Sequence, residues 1–168
     1  MTTTIYRYGE PALLAWTAAY ALWEPVSYFL IRATSKARTV AEYYDPARMP
    51  VPIVFFGDYI YSTFIFIVAL QLMQPQNAWL TNLGIFIGVQ WISDLMFYLF
   101  ISQIPAGTTR YLDFFKRYSK EVGFGAVLGD SAYGIVWLGL AQGLLSVPNW
   151  LQLLAVVVFL FGTLIVSY

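Results

Sequence analysis

Residues 51–73, VPIVFFGDYIYSTFIFIVALQLM, form an apolar stretch that contains one charged residue, Asp58. A helix that crosses the hydrocarbon core of a bilayer needs about 20 mostly apolar residues, so this stretch is long enough to span a membrane. Similar stretches predict four more spans, at about residues 11–31, 79–101, 122–146 and 149–168. Proline, which stops a helix, follows three of the five spans, at Pro75, Pro105 and Pro148. The sequence therefore predicts an all-α polytopic membrane protein with five transmembrane helices.

The composition of the whole chain supports a membrane protein. Of its 168 residues, 60% are hydrophobic and 11% are charged, and the formal net charge is zero. Soluble domains are about 45–50% apolar and about 25% charged, and a soluble fold of this length could not bury so much apolar surface. The chain also has no basic stripe of the kind that binds nucleic acid. We therefore expect one membrane domain over residues 1–168, with the lipid bilayer as its main partner.

The chain contains no histidine and no cysteine, which restricts its chemistry. Haem, iron–sulfur clusters, zinc sites built on His or Cys, and nucleophilic sites of the Ser-His-Asp or Cys-His type all need those side chains. A bound ion would therefore be a hard cation held by oxygen ligands. A lipid-modifying enzyme that uses Mg²⁺ is disfavoured, because no span carries a carboxylate pair such as Asp-x-x-Asp. The sequence favours a protein without a resident cofactor and without enzyme activity.

The basic residues are distributed unevenly between the loops. Eight of the nine Lys and Arg residues lie in the two longer loops, which follow the first and third spans, and the other two loops carry no charge. The positive-inside rule places the longer loops in the cytoplasm, so we expect the N-terminus outside and the C-terminus inside. Anionic lipid headgroups would be attracted to these loops. The loops form either a surface that binds headgroups or docks a partner, or short interfacial helices.

A short pattern occurs twice and predicts a duplicated helix hairpin. Gly-Asp-x-x-Tyr lies at residues 57–61, near the start of the second span, and again at residues 129–133, near the start of the fourth. Two spans separate the copies, so both point in the same direction across the membrane. The predicted repeat units cover about residues 11–74 and 79–146, and an extra helix follows at about 149–168.

Four acidic residues lie inside the predicted spans at a common depth. With a rise of about 1.5 Å per residue, each lies roughly 10–12 Å below the cytoplasmic edge of its span. No Lys or Arg lies within a span to neutralise them, and an unpaired carboxylate at membrane depth costs about 2.5–3.5 kcal/mol or more. Hydroxyl side chains lie within one helical turn of all four of these acids. The predicted site comprises Glu24, Asp58, Asp94 and Asp130 with Ser27, Ser62, Tyr61 and Tyr133.

Carboxylates and hydroxyls of this kind bind protons or hard cations. We therefore expect a small transporter or channel that handles protons or hard cations through the layer of acids. The alternative is a non-catalytic structural or assembly subunit of a membrane complex or of an enveloped-particle membrane. In that case the acids are protonated and hydrogen-bond a neighbouring helix.

Glycines at helical spacing predict close packing between helices. Gly84 and Gly88 lie four residues apart in the third span, and Gly57 and Gly129 precede the aspartates of the repeated pattern. Small residues at such positions let two backbones approach closely. The contact would form either within one chain or between the copies of a homo-oligomer.

Overall fold

A computed structural model describes residues 9–74 and 76–166 of the chain. Within these ranges it forms seven α-helices and no strand, so the predicted all-α class is confirmed. The helices are α1 (Gly9–Thr34), α2 (Arg38–Tyr43), α3 (Val51–Leu72), α4 (Trp79–Gln103), α5 (Arg110–Val122), α6 (Phe124–Leu144) and α7 (Asn149–Val166).

Three of these helices, α3, α4 and α6, are long and apolar enough to cross a membrane. This confirms the prediction of a membrane protein with transmembrane helices. The helix α1 has 26 residues but is less apolar, because alanine, tyrosine and polar side chains occupy much of it. The helix α7 is apolar but shorter. Five spans therefore stay a prediction.

The described helices depart from the predicted bounds by up to three residues, as at the end of α1 and at the start of the fourth span. This helix begins at Phe124 rather than at residue 122, because Gly123, with a φ of 55°, ends α5 and turns the chain into α6. Glycine adopts a positive φ without the steric penalty that a Cβ atom would bring. Pro105 and Pro148 follow the ends of α4 and α6 as expected. Pro75 and the predicted last helical residue, Tyr168, lie outside the described residues.

The two longer loops fold into α2 and α5, which pack against each other. Thr109 caps α5 by accepting a hydrogen bond from the backbone N–H of Leu112 at 3.2 Å, which satisfies one free donor of the first helical turn. An ion pair of 2.7 Å joins Arg117 of α5 to Glu42 of α2. Both loops are thus helical, as the interpretation of short interfacial helices expects.

The helix α1 occupies the centre of the bundle and contacts α3, α6 and α7. Four of its alanines are fully buried, and Trp16 between them stacks on Phe66 of α3 with ring centroids 4.3 Å apart. Small alanine side chains allow the neighbouring helices to approach α1 closely. The helix continues through Pro25 without a break in its assignment.

The interior contains two apolar clusters. The first surrounds Trp16 and Phe66. The second surrounds Tyr28 and Phe55 and includes Phe114 of α5. Along α1, Glu24 lies between Trp16 and Tyr28, so this carboxylate falls between the two clusters.

Close packing occurs at a glycine that the spacing pattern did not select. A Cβ atom on Gly134 of α6 would collide with the Phe86 ring of α4 and lie 2.8 Å from Gln90 Oε1. A Cβ atom would meet no neighbouring atom within 4 Å at the predicted positions, Gly57, Gly84, Gly88 and Gly129. Within this chain the four predicted glycines therefore do not form close helix contacts. Their use in a homo-oligomer stays a prediction.

Candidate functional site

The four predicted acids lie on four helices and approach one another. Glu24 of α1 interacts electrostatically with Asp58 of α3 and with Asp130 of α6. Asp130 also interacts with Asp94 of α4. The four side chains are therefore linked by electrostatic interactions between the helices, and we call them the carboxylate layer.

The members of the carboxylate layer differ in burial. Glu24 is 2% exposed, whereas Asp58, Asp94 and Asp130 are half-buried. Ser27 donates its hydroxyl to the backbone carbonyl of Glu24 at 2.8 Å, and the same hydroxyl lies 3.4 Å from Glu24 Oε2. Ser27 therefore lies beside the Glu24 carboxylate.

No ion pair reaches the carboxylate layer within the described part of the chain. The ion pairs there join Arg48 to Glu42, Arg48 to Asp45, and Arg117 to Glu42, all on α2, α5 or the segment after α2. The long basic side chains of the loops therefore do not bend inward to neutralise the acids. Their negative charge has to be offset by protons, by hydrogen-bond donors or by a bound cation.

Tyrosine hydroxyls supply hydrogen bonds to two of the acids. Tyr43 of α2 donates to Asp58 Oδ1 at 2.7 Å, and Tyr61 of α3 donates to Asp94 Oδ1 at 2.8 Å. The other oxygen of Asp94, Oδ2, is buried and has no hydrogen-bond partner among the described residues. A carboxylate can accept several hydrogen bonds, so this oxygen has unused capacity.

The tyrosines of the repeated pattern each contact the opposite hairpin. Tyr61 belongs to the first predicted repeat unit and bonds to Asp94 of the second. Tyr133 belongs to the second unit and lies against Ser27 and Glu24 of the first. Ser62, in contrast, donates to the carbonyl of Tyr59 in its own helix at 3.2 Å, and the structure does not join it to a layer acid.

Two tyrosines from the loop helices complete the layer, and the sequence analysis missed both. Tyr43 bonds to Asp58, and Tyr118 of α5 interacts with Asp130, Asp58 and Asp94. Burial, followed by the charge of Asp130, raises the pKa of Tyr118 above its ordinary value. Burial and the charge of Asp58 raise the pKa of Tyr43 in the same way. Both hydroxyls therefore keep their protons at neutral pH.

A signal for Tyr118 was present in the sequence of α5. Phe114 and Tyr118 are four residues apart and share one face of the helix, while Arg117 and Lys120 point elsewhere on it. A charged segment with an apolar face of this kind is amphipathic and packs that face inward. Tyr43 had no comparable signal, because α2 has only six residues.

Geometry limits how a metal ion could be held. Among residues 9–74 and 76–166, no group of three or more acidic side chains comes close enough together to hold a metal ion. Hard cations in proteins usually take about six or more oxygen ligands. Any cation in the layer would therefore need hydroxyl, carbonyl or water oxygens in addition to the carboxylates.

The helix α5 also holds α2 in place through Glu121. The two carboxylate oxygens of Glu121 accept hydrogen bonds from the backbone N–H groups of Arg38 at 2.7 Å and Thr39 at 2.9 Å. These groups belong to the first turn of α2, where Ala37 at the N-cap offers no side-chain acceptor. Glu121 therefore satisfies donors that an isolated α2 would leave free.

This anchor makes a pH-dependent contribution to stability. Hydrogen bonds from Thr39 and Arg38 lower the pKa of Glu121 below its ordinary value of 4.5. A carboxyl with a lowered pKa in the folded state stabilises the fold above its unfolded-state pKa, and this stabilisation is lost as the pH falls below that value. We expect the melting temperature of the purified protein to fall between pH 6 and pH 3 by more in the wild type than in Glu121→Gln. Equal losses in the two proteins would show that Glu121 does not anchor α2.

An open groove lies on the outer side of the α2–α5 pair. It measures about 480 Å³ and is lined by Arg38, Thr39, Glu42, Arg48, Arg117 and Glu121. A second groove of about 280 Å³ shares Glu42, Arg48 and Arg117 and extends to Arg110 and Tyr111. The loop helices therefore present a charged surface, to which Tyr111 also contributes.

The fold and this site together define an all-helical membrane protein with a carboxylate layer between its helices. Comparison of the chain with protein-family models, with curated proteins and with solved structures gives no match.

Proposed function

We propose that this chain is a multi-pass membrane protein that handles protons or hard cations through the carboxylate layer. The observation that supports this function is the approach of four carboxylates from four helices without a basic partner among the described residues. Ionisable groups inside a membrane are costly, and they commonly mark ion pathways or proton relays. The protein acts in this proposal as a small transporter or channel.

Five spans are part of the proposal. The helix α1 is buried among α3, α6 and α7, so it faces protein rather than lipid and needs less apolar surface than its neighbours. The helix α7 has 18 residues and a length of roughly 27 Å at about 1.5 Å per residue, close to the thickness of the hydrocarbon core. Large apolar side chains are exposed along the outer faces of α4 and α7, as lipid-facing helices require.

The duplicated hairpin is supported by the helix contacts. Under the predicted duplication, α1 corresponds to α4, α3 to α6, and α2 to α5. The contact of α1 with α6 then has its counterpart in the contact of α4 with α3, and α2 packs on its own counterpart α5. Such pairs are expected when two copies of a unit are related by a pseudo-two-fold axis.

The orientation and partners of the chain follow from its charges. We place the α2–α5 side in the cytoplasm, with the N-terminus outside and the C-terminus inside, because eight of nine basic residues lie in these loops. Arginines that line the outer grooves would attract anionic lipid headgroups. A homo-oligomer or larger complex would use the exposed apolar faces, including the glycines of α4.

Substitution of Asp130 tests the function. Asp130 interacts with both Asp58 and Asp94, so it links the two hairpins. Asn has almost the same size as Asp but cannot bind or release a proton and carries no charge. In liposomes that contain the purified protein, we expect Asp130→Asn to reduce proton or cation flux by about tenfold or more, equal to about 1.4 kcal/mol of barrier.

The matched control is Asp45→Asn. Asp45 lies after α2, pairs with Arg48 at 3.6 Å, and belongs to no part of the carboxylate layer. Its substitution is expected to leave flux at the wild-type level. Absence of flux in the wild type, or equal flux in Asp130→Asn and wild type, contradicts the proposed function.

A structural role is the second candidate function. It is favoured by the bonds of Tyr43 to Asp58 and Tyr61 to Asp94, because hydrogen bonds between helices also hold membrane bundles together. For a subunit of this kind, we expect Asp58→Asn and Asp94→Asn to lower the thermal stability. We also expect no proton or cation flux in liposomes that contain the wild type or either variant. Such a subunit would also purify only with its partners.

A further inference from the structure

The proposed function allows two species, the proton and a hard cation. The hydroxyl donors of the carboxylate layer favour the proton. Tyr43 donates to Asp58 at 2.7 Å and Tyr61 donates to Asp94 at 2.8 Å, so each of these acids already accepts a hydrogen bond from a phenol. A phenol donates one hydrogen bond and accepts others, and can therefore pass a proton through its oxygen. A hard cation would instead need those hydroxyls to turn their oxygens toward it, along with further ligands.

The hydroxyl groups continue from the layer toward the α2–α5 pair. Tyr118 of α5 interacts with Asp130, Asp58, Asp94 and Tyr133, so one hydroxyl lies near acids of three helices. Tyr43 of α2 bonds to Asp58. Its neighbour in the chain, Glu42, lines both outer grooves, whereas Tyr43 and Tyr118 line neither. The two loop-helix tyrosines are thus the members of the layer that belong to the charged surface helices.

The loop helices are held so that these hydroxyls stay at the acids. Arg117 pairs with Glu42 at 2.7 Å, and Glu121 bonds to the first turn of α2. The ring of Tyr43 also stacks on Phe114 of α5, with centroids 5.7 Å apart and planes inclined by 17°. These contacts fix the Tyr43 hydroxyl at Asp58 without using the hydroxyl itself.

We propose that the species handled by the carboxylate layer is the proton, and that Tyr43 and Tyr118 carry it between the α2–α5 side of the bundle and the acids. This inference rests on the proposed function and narrows it to one substrate. In the step at Tyr43, the hydroxyl proton passes to an ionised Asp58, while the phenol oxygen forms a new O–H bond with a proton from a hydronium ion on the α2–α5 side. The hydronium ion leaves as water, the phenol is restored, and one proton has moved inward.

The two transfers at Tyr43 occur together. Burial and the charge of Asp58 raise the pKa of Tyr43 well above its ordinary value, so a free tyrosinate is not formed as an intermediate. The same holds for Tyr118, where burial and Asp130 are the main causes of the raised pKa. Replacing either phenol by Phe removes the oxygen and interrupts the step, while the ring remains to fill its space.

The experiment measures flux in liposomes that contain the full chain, with a potassium diffusion potential as the driving force. Proton uptake is followed with an internal pH dye, and radioactive sodium uptake is followed in parallel. We expect wild-type proton flux that is independent of sodium, and a decrease of about tenfold or more in Tyr43→Phe and in Tyr118→Phe. Tyr98→Phe is the control, because Tyr98 lies on α4 with half of its surface exposed.

The outcomes separate this inference from the proposed function. If the protein takes up sodium and its proton flux depends on sodium, the inference is overturned and the proposed function still stands. The same conclusion follows if both loop-tyrosine variants keep full flux while Asp130→Asn loses it. Absence of both fluxes in the wild type overturns both.

One measurement needs no variant, so it tests whether the proton is the species carried even if Tyr43→Phe or Tyr118→Phe does not fold. Wild-type flux is measured in H2O and in D2O under the same driving force. Transfer of protons through hydroxyl groups is slower with deuterium, so slower sodium-independent flux in D2O supports the inference. Equal flux in the two solvents overturns it.

Discussion

Replacement of Trp16 by alanine is expected to lower the free energy of unfolding by about 3 kcal/mol, at the lower end of the usual cost of removing a buried Trp. Trp16 is fully buried at the centre of the bundle, where it stacks on Phe66 and meets the rings of Phe86 and Trp137. Its Nε1 donates to Thr63 Oγ1 at 3.2 Å. One side chain of α1 therefore joins α3, α4 and α6.

The expected cost at Trp16 comes mainly from lost packing. In a membrane the separated helices are surrounded by lipid, which is as apolar as the bundle interior, so the water-to-oil transfer contribution is small. The cavity left by the indole removes dispersion contacts with three neighbouring rings, and lipid cannot enter to replace them. The hydrogen bond to Thr63 is lost as well.

Unfolding of the purified protein in bicelles, by steric trapping or by SDS titration, measures this change. Trp150→Ala is the matched control, because Trp150 is 65% exposed at the start of α7. The control should change stability by less than about 0.5 kcal/mol. Equal losses in the two variants would falsify the central position of α1.

Replacement of Gly134 by alanine is expected to destabilise the protein by about 1–3 kcal/mol, although alanine is the better helix former. The added Cβ atom would collide with the Phe86 ring and lie 2.8 Å from Gln90 Oε1. Phe86 is itself 1% exposed and packs on Trp16, so its ring cannot move aside without disturbing the central cluster. The helices α4 and α6 would have to separate.

The matched control for Gly134 is Gly139→Ala on the same helix. A Cβ atom at Gly139 meets no neighbouring atom within 4 Å, so this variant should lose no stability. The same unfolding titration measures both variants. Loss of stability at Gly139 equal to that at Gly134 would contradict the close approach of α4 and α6.

Much of the fold could be predicted because membrane helices follow simple limits of length and polarity. The apolar stretches of α3, α4 and α6 were placed to within about two residues, since proline and charged residues mark where such helices end. The same arithmetic placed Glu24, Asp58, Asp94 and Asp130 at one depth, because depth depends only on the number of residues from the helix end. In the structure these four acids interact electrostatically across four helices.

The position of a residue around the helix axis was harder to predict. All of the apolar helices are apolar on most sides, so their sequences do not show which face meets which neighbour. For this reason the spacing of Gly84 and Gly88 suggested a contact that the structure instead makes at Gly134. The bonding of Ser62 to its own helix was missed for the same reason.

The sequence by itself indicated a helical membrane protein, and it predicted four acids at a similar depth with no basic residue in the spans. These properties depend on composition and on the number of residues between two positions in a helix, and both can be read directly from the sequence. Only the tertiary structure decided that Tyr43 and Tyr118 reach these acids and that α1 occupies the centre. Those contacts join segments far apart in the chain, and they depend on how each helix is rotated and packed.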